Sequence, residues 1–407
     1  MLSRAPMPTL APSRAERWDI FCTVIDNYGD IGVSWRLARQ LAAEHGIAVR
    51  LWVDDLRSFG ALCPTLDTSR ERQQIAGVDI RRWHNVTLDE EESATLTEDS
   101  DDALPGEVVI EAFGCTLPEY FVAAMAERAH PPCWINLEYL SAEPWTLGCH
   151  GLSSPHPRWP LTKYFFFPGF DPNGGGLLRE REVLAQRDAR TGQGQKPAHI
   201  EHYPNLAPLP GRGLRISLFA YETPAITALL TIWAELATPA APICCLIPAS
   251  RALQAVATFF GQSLQPGDVC RRGALEIHVL PFVEQAHYDA LLQTCDVNIV
   301  RGEDSFVRAQ WAAKPLLWHI YPQDEDAHCV KLDAFLDIYC AALPAAASAA
   351  LRRFWHGWNA GELDADTWCA FADALPTLTK HAAVWSARLA EQEDLASRLV
   401  LFCRARV

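Results

Sequence analysis

No apolar run in the 407-residue sequence reaches the ~20 residues needed to cross a bilayer, so a membrane-spanning helix is not expected. A basic run is missing as well. Asp and Glu total 50 against 35 Lys and Arg, for a formal net charge of −15. Phosphate contacts dominate nucleic-acid affinity, so a chain without a basic patch is not expected to bind DNA or RNA. An acidic surface suits a soluble protein, or one whose partner presents a basic feature. The 13 cysteines are odd in number and include no CxxC pair. Neither a disulfide framework nor ordinary zinc-ligand spacing is present, and the thiols read as reduced and mostly buried. The opening MLSRAPMPTLAPSRAERWD holds no uninterrupted apolar stretch of the kind a secretory leader carries, so a cytoplasmic location is expected, with residues 1–17 frayed. The motifs GxGxxG, GxxxxGK(S/T) and GxSxG are also absent, which sets aside the dinucleotide fingerprint, the P-loop kinases and the nucleophile elbow.

What is present is alternation. DIFCTVI (19–25) is an apolar run of strand length, followed by the loop DNYGDIG (26–32) and by VSWRLARQLAAEHG (33–46), whose spacing predicts a helix stopped by Gly46. IAVRLWVDD (47–55) is again strand-like, which completes a βαβ unit. VVIEAFGC (108–115), a proline-opened helix at 118–130, CWINLEYL (133–140) and the aromatic KYFFFPGF (163–170) continue the series. The acidic run 98–102 reads as a solvated loop. Residues 184–213 are polar and rich in Gly and Pro, as a linker would be. A second series then runs from LRISLFAYE (214–222) to PLLWHIYP (315–322), including a helix at 250–261 with Ser250 as its expected N-cap, and the chain beyond Glu325 reads as helical.

These signals predict an N-terminal Rossmann-like domain (1–183), a linker (184–213) and a C-terminal Rossmann-like domain (214–407) whose last helices can fold back onto the first. Two parallel, doubly wound sheets place ligands beyond the carboxyl ends of their strands, here in the cleft between the domains. That is the glycosyltransferase-B architecture. Alternation alone does not separate it from a two-domain kinase or a dehydrogenase.

Three constellations lie at predicted strand ends. In Asp26-Asn27-Tyr28-Gly29-Asp30 two carboxylates flank a glycine-containing loop. Glycine lets the backbone approach a ligand, and paired carboxylates favour a cationic or hydroxylated group over a phosphate. The structural alternative has Asp26 forming a turn and Asp30 capping the helix. In Arg301-Gly302-Glu303-Asp304-Ser305 a helix N-terminus and Arg301 can face a diphosphate, and Glu303 can accept from sugar hydroxyls. A capped helix with a local salt bridge is the alternative. Phe219, Tyr221, Phe282 and Gln285 can stack on a base and bond a pyrimidine edge, although aromatics in strands are more often core. Asp324-Glu325-Asp326 contains a DxD pattern but opens a helix, where an acidic first turn suits the helix dipole; no metal is expected.

WDIFCTVIDNYGDIGVSWRLARQL (18–41), KYFFFPGF with the following GGG and Leu178-Arg179-Glu180, SLFAYE (217–222), LPF with Gln285, and RGEDSF (301–306) together resemble the protein-arginine rhamnosyltransferase family, EarP, in the same order from Trp18 to about Leu336. The resemblance implies the glycosyltransferase-B fold and transfer of rhamnose, with inversion, from TDP-β-L-rhamnose to one arginine of translation elongation factor P, a protein that relieves ribosomes stalled at polyproline. The family's loop carboxylates match Asp26 and Asp30, and its essential glutamate matches Glu303. Its nucleotide-binding positions match Phe219, Tyr221, Phe282, Gln285, Arg301, Asp304 and Ser305. Asn27, Tyr28, Gly29 and Gly302 are counted with them as substrate-binding, and no cofactor beyond the donor is implied. A free guanidinium has a pKa of roughly 12.5–13.8, so deprotonating it first at pH 7 would cost about 7–9 kcal/mol. The carboxylate pair is therefore expected to grip the arginine, with Asp30 taking the proton as the C–N bond forms. Two other readings compete: a related transferase with another sugar or acceptor, and a nucleotide-sugar-binding regulator without turnover.

Overall fold

The computed structural model describes residues 16–26, 28–83, 104–191, 200, 203, 206–323 and 327–406. Asn27, the acidic run 98–102, the tract 324–326, residues 1–15 and residues 192–199 of the expected linker lie outside them.

In the first half, β1 (Arg17–Cys22), α1 (Gly29–His45), β2 (Ala48–Val53), α2 (Leu56–Leu62), β3 (Arg72–Ile75) and β4 (Val78–Arg82) are followed by β5 (Val108–Ala112), α3 (Glu119–Glu127), β6 (Cys133–Leu137), α4 (Trp145–Cys149), β7 (Ser153–Pro155) and β8 (Thr162–Phe166). The strand order is β3-β4-β2-β1-β5-β6-β8-β7. Every residue of β5 and β6, and all of β1 after Arg17, is buried, because helices cover both faces. Trp18, Ile20 and Cys22 point to the α1 side with Leu37 and Leu41. Phe21 points the other way, stacked on Trp52 at 5.3 Å and packed edge-on to Phe121 of α3. Gly46 stops α1 in the left-handed region at φ +67°.

The segment expected to be a linker begins in a helix, α5 (Val183–Thr191), docked on the second half through Arg187 to the Trp311 carbonyl (3.2 Å) and Arg190 to Gln293 (3.0 Å). The second half contains β9 (Leu214–Leu218), α6 (Pro224–Leu236), β10 (Ile243–Pro248), α7 (Leu253–Phe260), β11 (Val269–Arg272), β12 (Leu275–Leu280), α8 (Gln285–Thr294), β13 (Val297–Arg301), α9 (Asp304–Ala312) and β14 (Leu316–His319), in the order β11-β12-β10-β9-β13-β14. Four helices follow: α10 (Ala327–Cys340), α11 (Ala345–Ala360), α12 (Ala365–Ala390) and α13 (Leu395–Arg404). The first three complete the second core, whereas Leu395, Leu399 and Val400 of α13 are buried in the first.

Three readings of the sequence need correction. The sheets are not wholly parallel, since β3, β7 and β11 pair antiparallel at their edges. These strands are short and largely exposed, so no apolar run marks them. Ser250 does not cap α7, because a turn occupies 250–252 and the helix starts at Leu253 after Ala252. The helix α1 starts at Gly29, four residues earlier than its apolar spacing indicates. Ten of the 13 cysteines are buried. Among the described residues no helix is long and apolar enough to cross a membrane.

β1 lies between β2 and β5, and β9 between β10 and β13. From β1 the chain goes on to β2 and β4 on one side and only later to β5 on the other, and from β9 to β10 and β12 and only later to β13. The carboxyl ends of both central strands are therefore topological switch points, where such sheets open a crevice.

Candidate active site

The two switch points face each other. The loop after β1 supplies Asp26 and Tyr28, and the first turn of α1 supplies Gly29 and Asp30. From the other half come Phe219 and Tyr221 after β9, Phe282 after β12, Gln285 opening α8, and Arg301 to Ser305 between β13 and α9. Two adjoining cavities fill the space between them. One is lined by Tyr28, Phe219, Phe282, Gln285, Tyr288, Arg301, Asp304 and Ser305 among others. The second is lined by Asp30, Phe113, Tyr139, Trp318, Tyr321 and Lys331 among others. Asp26, Gly29, Gly302 and Glu303 line both. Every described candidate residue thus lines one cavity or the other except Tyr221, whose hydroxyl reaches Asp26.

Asp26 joins the halves. Tyr221 donates its hydroxyl to Oδ2 at 2.7 Å, and Arg301 donates Nη1 to Oδ1 at 3.2 Å. The turn reading also holds at Asp26, whose carbonyl accepts from the Gly29 N–H. Two glycines allow the closeness. A Cβ on Gly29 would sit 2.6 Å from the Asp26 carboxylate, and one on Gly302, at φ +62°, would sit 3.2 Å from it. The Arg301 guanidinium is enclosed by rings, 4.5 Å from the Tyr221 centroid, 4.9 Å from Phe219 and 5.6 Å from Tyr28. Tyr28 in turn lies 4.8 Å from Phe282. The aromatic residues at the strand ends therefore form a lining around a cation, open to a flat ring on the cavity side.

Asp30 does not cap α1, whose N-cap Tyr28 makes no side-chain cap bond. Its carboxylate turns back and accepts the N–H groups of Ile25 and Asp26, both at 2.8 Å, and the Tyr139 hydroxyl at 3.1 Å. It is only 2% exposed. Burial pushes its pKa above the ordinary carboxylate value, against the pull of the three donors. Glu303 accepts the Leu140 N–H at 2.9 Å, and burial raises its carboxyl to about 7, with Lys331 acting to lower it. The cavity therefore holds two carboxyl groups that are better proton acceptors than free carboxylates.

The turn at Arg301–Ser305 is not the capped helix of the structural alternative. Glu303 at the N-cap of α9 makes no side-chain cap bond, and the Ser305 hydroxyl donates to the Arg301 carbonyl. The first-turn N–H groups of α9 are left for an anion. Gln285 and Asp304 line the first cavity, and their polar atoms also bond across the halves. The Gln285 amide donates to the Gly32 carbonyl (2.6 Å) and to Asp304 (3.1 Å), and accepts from Arg39 (2.9 Å). Asp304 receives a fork from Arg36, at 2.7 and 3.1 Å. Burial opposes its charge, but Arg36 holds its pKa below the ordinary value. Arg36 also pairs with Glu180, which pairs with Arg308, which pairs with Asp289. These side chains tie α1 to α8 and α9 beneath the first cavity.

Sequence reasoning missed Phe113, Tyr139, Trp318, Tyr288 and Lys331. Phe113, Tyr139 and Trp318 follow or end parallel strands that were legible, so the strand-end rule applied to β5, β6 and β14 would have found them. Nothing local marks Lys331. Among the described residues the one group able to hold a metal ion, Cys244 with Glu276 and His278, lines neither cavity.

The sequence profile of a family described as elongation-factor-P (EF-P) rhamnosyltransferase EarP matches residues 18–404. A protein-arginine rhamnosyltransferase of Pseudomonas putida is 50% identical over 389 residues, covering 95% of this chain and 98% of that one. The Shewanella oneidensis protein of the same name is 42% identical, covering 96% and 98%. A solved structure described as the basis for EarP-mediated arginine glycosylation of translation elongation factor EF-P aligns with a TM-score of 0.64 at 36% identity, covering 96% of this chain and all of that one.

Proposed function

The chain belongs to the EarP family of elongation-factor-P rhamnosyltransferases, and from that premise we propose that it moves L-rhamnose from TDP-β-L-rhamnose to one arginine of translation elongation factor P in the cytoplasm, with inversion, and so equips that factor to rescue ribosomes stalled at polyproline. The observation that carries the reading is the adjoining pair of cavities. One offers aromatic faces, a guanidinium and a bare helix N-terminus to a nucleoside diphosphate. The other offers Asp26, Asp30 and Glu303 to a cation. A hydroxyl acceptor needs a single base. A guanidinium needs its charge matched and its plane oriented before a nitrogen can attack.

In this mechanism the base of the donor lies against Phe282 and Tyr28, and its diphosphate draws on Arg301 and the N-terminus of α9. The acceptor guanidinium is gripped by Asp26 and Asp30. One nitrogen attacks the anomeric carbon from the face opposite the diphosphate. The new C–N bond forms as the C–O bond to TDP breaks, and the nitrogen's proton passes to Asp30. Burial makes Asp30 a stronger base than a free carboxylate, which suits a proton that leaves only as the bond forms. The departing negative charge is met by Arg301 and the helix N-terminus. Glu303, between the cavities, is placed to hold a sugar hydroxyl.

Mass spectrometry of elongation factor P incubated with this protein and TDP-rhamnose tests the proposal. A deoxyhexose increment on a single arginine supports it, and an unmodified factor rejects it.

A further inference from the structure

Among the described residues, the cavity with three carboxylates is lined by one cationic side chain, Lys331 of α10. Its ammonium lies 5.7 Å from the centre of the Tyr139 ring. That ring is fixed in place. Its hydroxyl bonds Asp30, and it stacks on Phe113 with centroids 4.6 Å apart and planes 22° apart. Phe113 holds an unfavourable left-handed backbone at φ +59°, with its N–H donated to the Leu137 carbonyl at 2.7 Å. Lys331 also interacts favourably with the carboxylates of Glu303 and Glu138.

An aromatic face beside carboxylates is what a guanidinium binds. Lys331 already occupies such a place. Two like charges close together in a partly desolvated chamber repel, and one ring face takes one cation, so the ammonium and an incoming guanidinium compete for the place over Tyr139. Asp26 is already paired with Arg301, so without Lys331 it is Asp30 and Glu303 that would repel each other in the empty chamber with no cation beside them. Once an arginine enters, it supplies the missing charge. Lys331 is half-buried on a flexible four-carbon stem and can leave for solvent.

We infer that Lys331 is the resident counter-cation of the acceptor chamber, holding the guanidinium's place over Tyr139 until the acceptor arginine displaces it, and that it thereby sets acceptor affinity. The inference rests on the arginine-acceptor reading above.

The test is calorimetric binding of elongation factor P, in the presence of TDP, to wild type, K331M and K331R. The same titrations are run with a factor whose acceptor arginine is replaced by Met. K331M is expected to lower the Kd for the arginine-bearing factor about two- to fivefold, the worth of a half-exposed cation–π contact. K331R, whose guanidinium holds the place over Tyr139 at least as well, should keep the wild-type Kd or raise it. The gain should vanish with the Met acceptor, which a purely structural effect of the substitution would not produce. An unchanged or raised Kd in K331M, or an equal gain on both acceptors, overturns the inference. Equal binding of both acceptors by the wild type would instead show that the arginine reading has failed.

Discussion

Asp26 and Arg301 meet across the cleft at 3.2 Å, one from each half of the molecule. With the Tyr221 hydroxyl on its other oxygen, Asp26 has both carboxylate oxygens held by the second half. In the empty cleft, therefore, the residue best placed to grip a cationic acceptor neutralises the residue best placed to receive an anionic donor.

The pair predicts coupling between the substrates. A diphosphate that draws Arg301 away frees one oxygen of Asp26, so TDP should raise affinity for the acceptor protein. Coupling of this kind is typically worth about 1–3 kcal/mol, or five- to 150-fold. Calorimetry of elongation factor P with and without TDP reads it directly. In D26N the enhancement should shrink, because the amide has no charge for Arg301 to release. Equal acceptor affinity with and without TDP in the wild type would count against the exchange.

Asp30 is the assigned proton acceptor, and Asp30→Asn keeps its shape while removing its basicity. The rate of transfer should fall by a factor of roughly 10² to 10⁴, as for loss of a positioned base. TDP affinity should stay near wild type, since Asp30 lines only the cavity away from Phe282 and Ser305. Tyr139→Phe removes one donor to the carboxylate and should lower the rate far less. Loss of TDP binding in D30N with turnover retained would reverse the assignment.

The strand ends of this protein were legible, but what their side chains do was legible only in part. Asp26, Arg301 and Glu303 end or follow apolar runs of buried-strand length, and the sheet rule brings those ends to one cleft. Gln285 and Asp304 sit at equally suggestive positions. Their partners Arg39 and Arg36 are 246 and 268 residues away in sequence, so nothing local shows that their polar atoms are already used between the halves. Lys331 lies on a helix whose sequence pattern says only that Leu332 and Phe335 face the core. The edge strands β3, β7 and β11 escape notice because exposed strands need no apolar alternation.

Glu303 gives the protein a pH dependence with a defined sign. Burial raises its pKa from 4.5 to about 7. Between those values the folded protein keeps a proton that the unfolded chain has lost. The contribution of this proton to stability is therefore complete below about pH 4.5 and lost as pH rises through about 7. Glu303→Gln has no such proton, so its stability relative to wild type should improve across that window, by on the order of 2–3 kcal/mol. Chemical denaturation at pH 5 and pH 7.5 measures the difference. A constant difference between the two proteins at both values would mean that Glu303 does not titrate there.

Asp304 distinguishes a ligand from a latch. It opens α9 against the first cavity, where a nucleotide contact is plausible, yet both its oxygens face the Arg36 fork, and Arg36 is only 2% exposed. Asp304→Ala would leave Arg36 buried with Glu180 as its remaining carboxylate partner. Breaking a buried pair from one side typically costs about 3–5 kcal/mol. The loss should sit toward the lower end because Glu180 remains, and it should be seen as a lower Tm without ligand. Adding R36M removes the stranded charge and should return part of that stability, although R36M also unpairs Glu180. A direct nucleotide ligand would give the opposite pattern, with a near-normal Tm, a large loss of TDP affinity and no recovery from R36M. The tie between α1 and α9 makes the first pattern the expected one, with any loss of TDP affinity following from the loosened halves.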